Sequence, residues 1–350
     1  MQSKDRKKSH MMQLDRPTHS LLRLPGRWEA RDVAPLVSLA VLVVFFAFAA
    51  PNFIKPATLT AVLKQGSVLA IVSAGLTYVL LCAEIDLAVG MMALWCACFC
   101  GWLFENWAGG TAGQPAASGW LIAAVVLIPL VSCFLLGLSS GLLTVWARLP
   151  SFIISLAMMF IAEGSSKYVT QGSSFKIPPL LCGLGNGKFD LPGQYVLPYS
   201  AILAAVVLLL GHVILQHTRF GRYVYMTGGN REAARLAGVR TAWIVVACLA
   251  LCAVTAGLGG LVNAGRMTNV TTDQNKDLLL SAVACVVLGG TSLFGGEGSM
   301  GKTVIGVLTF TVLRVGLFQI TWIDDLARQL LTGVVLMVAL VINGLLARRR

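Results

Sequence analysis

The chemistry of this chain starts with two carboxylates where carboxylates are rare. Glu84 and Asp86, in AEIDLAVG (83–90), interrupt a run that is otherwise apolar from Val68 to Gly101. A charged side chain at the centre of a bilayer costs about 2.5–3.5 kcal/mol on insertion scales, so such a pair needs water, a partner or a helix end. Two arrangements supply that. One is a short turn between two spans, with Asp86 capping the second helix. The other, to which the expectation leans, is a break in the helices beside a polar path, where half-helix ends meet a solute.

A second stretch, GGTSLFGGEGSMGKT (289–303), contains a formal phosphate-binding loop: Gly296, four residues, then Gly301-Lys302-Thr303. A working loop of that kind follows a strand and opens a soluble helix. Here the continuation, VIGVLTFTVLRVG, is membrane-like, so nucleotide binding is rejected. The glycines fit a tight turn or a broken helix with exposed backbone groups instead. Ser292-Leu293-x-x-Gly296 also echoes Asp86-Leu87-x-x-Gly90, a weak hint of internal duplication.

The third stretch is RFGRYVYMTGGNREAARLAGVR (219–240), a basic island between two apolar runs. Asn230 is placed to cap a short helix, Glu232 lies in its first turn, and Gly238 stands just past its end. Ala233, Leu236 and Ala237 share one face at helical spacing, with Arg231, Glu232 and Arg235 turned elsewhere. Two turns are marginal in water, so this helix needs something to pack on. It reads either as a plain cytoplasmic loop held inside by its arginines or as a docking helix gripped in a partner's groove.

The elements that position these stretches are membrane spans. The 350 residues are 57% apolar and 12% charged, with mean hydropathy +0.79, which excludes a soluble globule. Spans are expected near 33–50, 57–83, 86–105, 120–145, 151–170, 197–217, 241–264, 278–294, 300–318 and 326–346, each close to the ~20 residues a bilayer requires. The fold class is thus all-α and polytopic: a basic tail (1–32), then one membrane domain (33–350) of about ten helices with broken or re-entrant segments. An even count puts both termini on one side. That side holds 18 of the 27 basic residues and the other holds eight, a bias that places the termini in the cytoplasm.

Other residue types point away from further chemistry. The +12 charge sits at loops and ends without aromatic interleaving, which argues against nucleic acid. The nine cysteines lie almost entirely in apolar runs and form no metal-ligand spacing; small-residue packing between helices is their expected role. Gln65, Glu84, Asp86, Asn263 and Ser292 are the candidates for a polar path, chosen as polar groups within apolar runs. Asn263 with Arg266, and Asp324 with Asp325, are lesser candidates for contacting an extracytoplasmic partner; solvated loop charges are the simpler reading. The segment 171–197 has the turn chemistry of an external loop.

Three of these stretches, in order, resemble a family. GGNREAARLAGV is similar to the cytoplasmic coupling segment of ribose-type ATP-binding-cassette permeases, with its EAAxxxG core at Glu232, Ala233, Ala234 and Gly238. AEIDLAVG resembles that family's IDLSVG signature, and GGTSLFGGEGS its GGTSLFGGxGS stretch. TGVVLMVALVINGLLARRR (332–350) looks like the usual final helix and basic end. The resemblance runs from about residue 35 to the C-terminus.

It implies an importer subunit for a monosaccharide or related small polar solute in a bacterial inner membrane. Such a subunit pairs with a second permease, receives solute from a periplasmic binding protein and docks on a cytoplasmic ATPase. ATP and magnesium are used by that other chain, so no cofactor and no catalytic residue is expected in this one. The coupling role carries over to Gly228, Gly229, Asn230, Glu232, Ala233, Ala234 and Gly238. The chain departs from the family at Ala88, usually Ser, and at Glu84, commonly Gly; a xylose-type permease can carry Glu there. It also lacks the usual Gly-Tyr-Glu in TTDQNKDLLL (271–280). The rival classes are an ion- or proton-coupled transporter that uses Glu84 and Asp86 as a relay, and a membrane enzyme, for which no catalytic cluster is present.

Overall fold

A computed structural model describes residues 30–108, 118–320 and 324–348; most of the basic tail and the last two arginines lie outside the described residues. Each expected span carries a helix: α1 (Ala30–Ala49), α2 (Pro56–Leu81), α3 (Val89–Trp107), α4 (Gly119–Ala147) and α5 (Ser151–Thr170) come first. A short α6 (Pro179–Asn186) precedes α7 (Tyr199–His217), α8 (Arg219–Gly229), α9 (Arg231–Leu236) and α10 (Thr241–Met267). The chain closes with α11 (Leu278–Leu288), α12 (Met300–Gln319) and α13 (Asp325–Arg348). Among the described residues, seven helices are long and apolar enough to cross a membrane.

One expected span is corrected. The stretch 278–294 is helical only to Leu288, 11 residues or about 16 Å, roughly half the ~30 Å hydrocarbon core. Gly289 and Gly290 end it, and the following residues form a loop up to Ser299. Apolarity continues past the point where the backbone can no longer be helical, so hydropathy overran the end. The external loop at 171–197 holds more structure than its turn chemistry suggests. β1 (Phe175–Lys176) pairs antiparallel with β2 (Asn269–Val270), and α6 packs on α10.

α10 is the axis of the bundle and touches α2, α3, α4 and α6. Gly137 and Gly141 of α4 sit directly on its backbone near Ala250 and Val246, the close approach that small residues allow where lipid offers no hydrophobic drive. α2, α3 and α10 are largely buried, whereas α4, α5 and α7 turn most of their apolar surface outward, as helices facing lipid must. Eight of the nine cysteines are buried in this packing.

Candidate functional site

The three motifs meet at one end of the bundle. α2 stops at Leu81 and α3 begins at Val89; between them the chain has no helix, and Cys82, Glu84, Asp86 and Ala88 are buried while Ala83 and Ile85 are exposed. Cys82 Sγ lies 3.6 Å from Cys248 Sγ on α10, and Asp86 is buried. The segment joins two helices that are each long enough to cross a membrane. Backbone polar groups without helix partners need others when they are buried. Here Ile85 N–H donates to Ser151 Oγ and Leu87 N–H to Ser155 Oγ, both at 3.0 Å. Two residues of extended chain advance about 6.6 Å and four residues of helix about 6 Å, so two serines one turn apart on α5 match alternate amides of the break. Ala88 N–H donates to Asp86 Oδ1 at 2.9 Å, which turns the chain into α3.

The 292–298 loop closes over the same place. Gly296 N–H donates to Leu81 O at 2.9 Å, and Ser292 N–H donates to Glu297 O at 2.8 Å. Ser292 Oγ accepts from Phe294 N–H at 3.1 Å. Ser292 therefore shapes its own loop. Thr303 of the formal phosphate loop is buried, its hydroxyl 2.8 Å from Thr77 Oγ1, so it is committed to helix packing.

The 219–240 segment is seated on both breaks. Thr218 caps α8 through Gly221 N–H, and Tyr225 OH donates to Gly298 O at 2.8 Å. Gly228 packs so tightly that a Cβ there would collide with Leu81 O. The expected cap is present: Asn230 Oδ1 accepts from Ala233 N–H at 2.9 Å. α9 ends in a Schellman arrangement, with Gly238 at φ +82°, Gly238 N–H donating to Arg235 O and Val239 N–H to Ala234 O. Ala234 and Val239 are both buried, the apolar contact that accompanies such an end.

The outer face of α9 differs from the expectation. Ala233, Leu236 and Ala237 do share exposure rather than burial: Ala234 alone turns inward, and Leu236 is 83% exposed. Glu232 is exposed beside Arg235, and Gly229 has open space around it. Arg231, which the helical spacing turns aside, reaches the break. Its Nη2 donates to Glu84 Oε1 at 2.5 Å and to Cys82 O at 3.3 Å. Glu84, at 9% exposure, is thus held by the 219–240 segment, and its carboxylate is paired.

The remaining path candidates lie at the opposite end. Gln65 of α2 and Asn263 of α10 face one cavity of about 270 Å³, together with Arg266, Asn275, Thr311 and Arg314. Asn263 Nδ2 donates to Asn275 Oδ1 at 2.8 Å. The proposed path set therefore splits: Gln65 and Asn263 come together, while Glu84, Asp86 and Ser292 belong to the motif end. The sequence reading passed over Arg314 as a site residue, although it is the one charge in VIGVLTFTVLRVG. It also passed over Ser151 and Ser155, signalled only by their four-residue spacing at the start of α5. Asp324, a lesser candidate, accepts from Ala327 N–H at 2.8 Å and so caps α13.

Over residues 58–340 the chain matches the family described as the permease component of the branched-chain amino acid transport system. The chain belongs to this permease family. It is 30% identical over 319 residues to the ribose import permease protein of Escherichia coli K12, covering 88% of this chain and 92% of that one. It is 28% identical over 317 residues to the galactose/methyl galactoside import permease protein of Salmonella typhimurium LT2, covering 90% and 94%. It is likewise 28% identical over 319 residues to the autoinducer 2 import system permease protein of Escherichia coli K12 strain DH10B, covering 90% and 87%. No solved structure matches it. The permease assignment favours a multi-pass subunit of an importer over the ion-coupled alternative.

Proposed function

We propose that this permease carries a monosaccharide or related small polar solute across a bacterial inner membrane by alternating access, driven from a separate cytoplasmic ATPase. The similarity to ribose, galactose and autoinducer 2 import permeases supports that solute class. A periplasmic binding protein delivers the solute, a second permease subunit completes the path, and both termini lie in the cytoplasm. ATP and magnesium are used by the ATPase; this chain supplies no cofactor site.

The observation that carries the proposal is the double-sided seating of 219–240. Its outer face offers Glu232, Ala233 and Leu236 to a partner, while Gly228 and Arg231 press on Leu81, Glu84 and Gly296. A push on α9 therefore reaches Leu81–Glu84 and the 295–298 loop through direct contact, which is how a rigid element transmits motion. Glu84 is read here as part of this linkage, and Gln65 with Asn263 as the surface that meets the solute.

The test pairs two variants. Gly238→Pro forces φ near −65° on a residue at +82° and removes its amide donor; Glu232→Ala alters only the exposed face. Both are expected to leave the protein in the membrane while uptake and stimulation of the co-purified ATPase fall at least about tenfold, a loss of roughly 1.4 kcal/mol in coupling. Wild-type uptake and stimulation in both would overturn the proposal.

A further inference from the structure

Three cations, Arg266, Lys276 and Arg314, line the far cavity against two acids, Asp273 and Asp277. Arg266, in the last turn of α10, and Arg314, within α12, both line it, and among the described residues neither is in an ion pair. They repel each other, and Lys64 feels the same repulsion from Arg266. A guanidinium within a span is sustained by water or a partner and by default marks function.

The ordinary roles are already filled. Arg266 is not needed to cap α10, because Asn186 Nδ2 donates to Gly265 O at 3.0 Å and to Arg266 O at 3.2 Å. Of the two acids at the rim, Asp273 accepts from Lys276 Nζ at 2.6 Å, which holds its carboxyl below the usual carboxylate range. Asp277 stands exposed at the start of α11 and forms no ion pair with either arginine. Beside the cations, Gln65 Oε1, Arg266 Nε and Asn275 Nδ2 are buried without a hydrogen-bond partner in the protein, although such groups are normally satisfied. Donors and an acceptor thus surround a cationic recess of about 270 Å³, just below the ~300–1,000 Å³ of typical small-molecule sites.

We propose that this cavity binds the carboxylate of a small polyhydroxylated acid, a hexuronate or similar sugar acid. Arg266 and Arg314 take the carboxylate, and Gln65 and Asn275 take hydroxyls. The inference rests on the solute-permease reading and narrows its small polar solutes to acidic sugars. A free solute fits better than the surface carboxylates of a docking protein, because Gln65 lies nine residues inside the start of α2, about 14 Å along the helix.

The experiment follows the thermal unfolding of the full-length permease in nanodiscs, with D-glucuronate, D-glucose or poly-L-glutamate added at equal millimolar concentration and fixed ionic strength. Glucuronate is expected to raise the midpoint saturably and glucose to leave it unmoved. Arg266→Gln and Arg314→Gln should each raise the half-saturating glucuronate concentration about tenfold, the worth of a charge-assisted hydrogen bond. Arg314→Lys, which keeps the charge and the fold, should recover part of that loss. No response to glucuronate, an equal response to glucose, or an undiminished response in both Gln variants would overturn the inference. A response to poly-L-glutamate alone would overturn it too and reassign the cations to protein docking. No ATPase is present in the assay, so a negative result leaves the ATP-coupled reading standing, and failure of ATPase coupling leaves this result standing.

Discussion

At the motif end of this permease, the connection between α2 and α3 is held by named partners: Ile85 and Leu87 by two serines, Leu81 O by Gly296, Glu84 by Arg231. Two hydroxyls there, Thr227 Oγ1 and Thr291 Oγ1, are buried without a protein partner; at the far end Gln65, Arg266 and Asn275 keep such atoms around one cavity. The same physics judges both. An unmade hydrogen bond in a low-dielectric interior costs about 1–3 kcal/mol, so a fold tolerates it where something else completes the bond. The difference separates a linkage, whose contacts must persist for motion to pass through it, from a cavity, whose groups must be free to exchange partners.

The sharpest way to break the comparison is at Gly228. A Cβ there meets the Leu81 carbonyl, and both sides of that contact are backbone, so no rotamer relieves it. Gly228→Val is expected to cost more than about 3 kcal/mol, beyond ordinary overpacking, and to abolish monodisperse elution in detergent. A well-folded, active Gly228→Val would mean that the seating is loose.

Next is an asymmetry within the ion pair. Arg231→Ala leaves the Glu84 carboxylate nearly buried and unpaired, whereas Glu84→Gln leaves Arg231, 47% exposed, able to turn to water. Removing the arginine should cost roughly 2 kcal/mol, less than the 3–5 of a fully buried pair, and the glutamine variant clearly less. Equal shifts in unfolding midpoint would show that Glu84 is solvated and the linkage weaker than its geometry implies.

The smallest effects contrast the two ends directly. Ser155→Ala strands the Leu87 amide and should cost about 1–2 kcal/mol, with transport falling in step with stability. Gln65→Ala removes a group that bonds nothing in the protein and should change stability by under about 0.5 kcal/mol while lowering uptake several-fold. Reversal of that order, with Gln65 the more stabilising residue, would place the structural linkage at the cavity instead.

Much of the fold was legible because hydropathy acts locally. The start of α5 at Ser151 and of α10 at Thr241 fall where apolar runs begin, and the cap at Asn230 and the left-handed turn at Gly238 follow from residue chemistry within a few positions. The overrun at 278–294 has the same origin: an apolar run cannot tell a full helix from a half-helix continued by an interior loop. Glu84 and Asp86 were legible as a polar point between two apolar runs, yet their partners were not. Polarity inside an apolar run signals that a partner exists without saying which one.

The sequence alone determined that this chain threads a membrane many times, that Glu84 and Asp86 fall between two apolar runs, and that a capped basic segment stands between α7 and α10. Each of those follows from side-chain transfer energy or backbone preference within a short window. The tertiary structure alone decided that Arg231 meets Glu84 across 147 positions, that Ser151 and Ser155 match the break, and that Arg266 and Arg314 share a cavity. Those contacts depend on how helices from distant parts of the chain cross and rotate. That is set by the whole packing of the bundle and by no local property of the residues that touch.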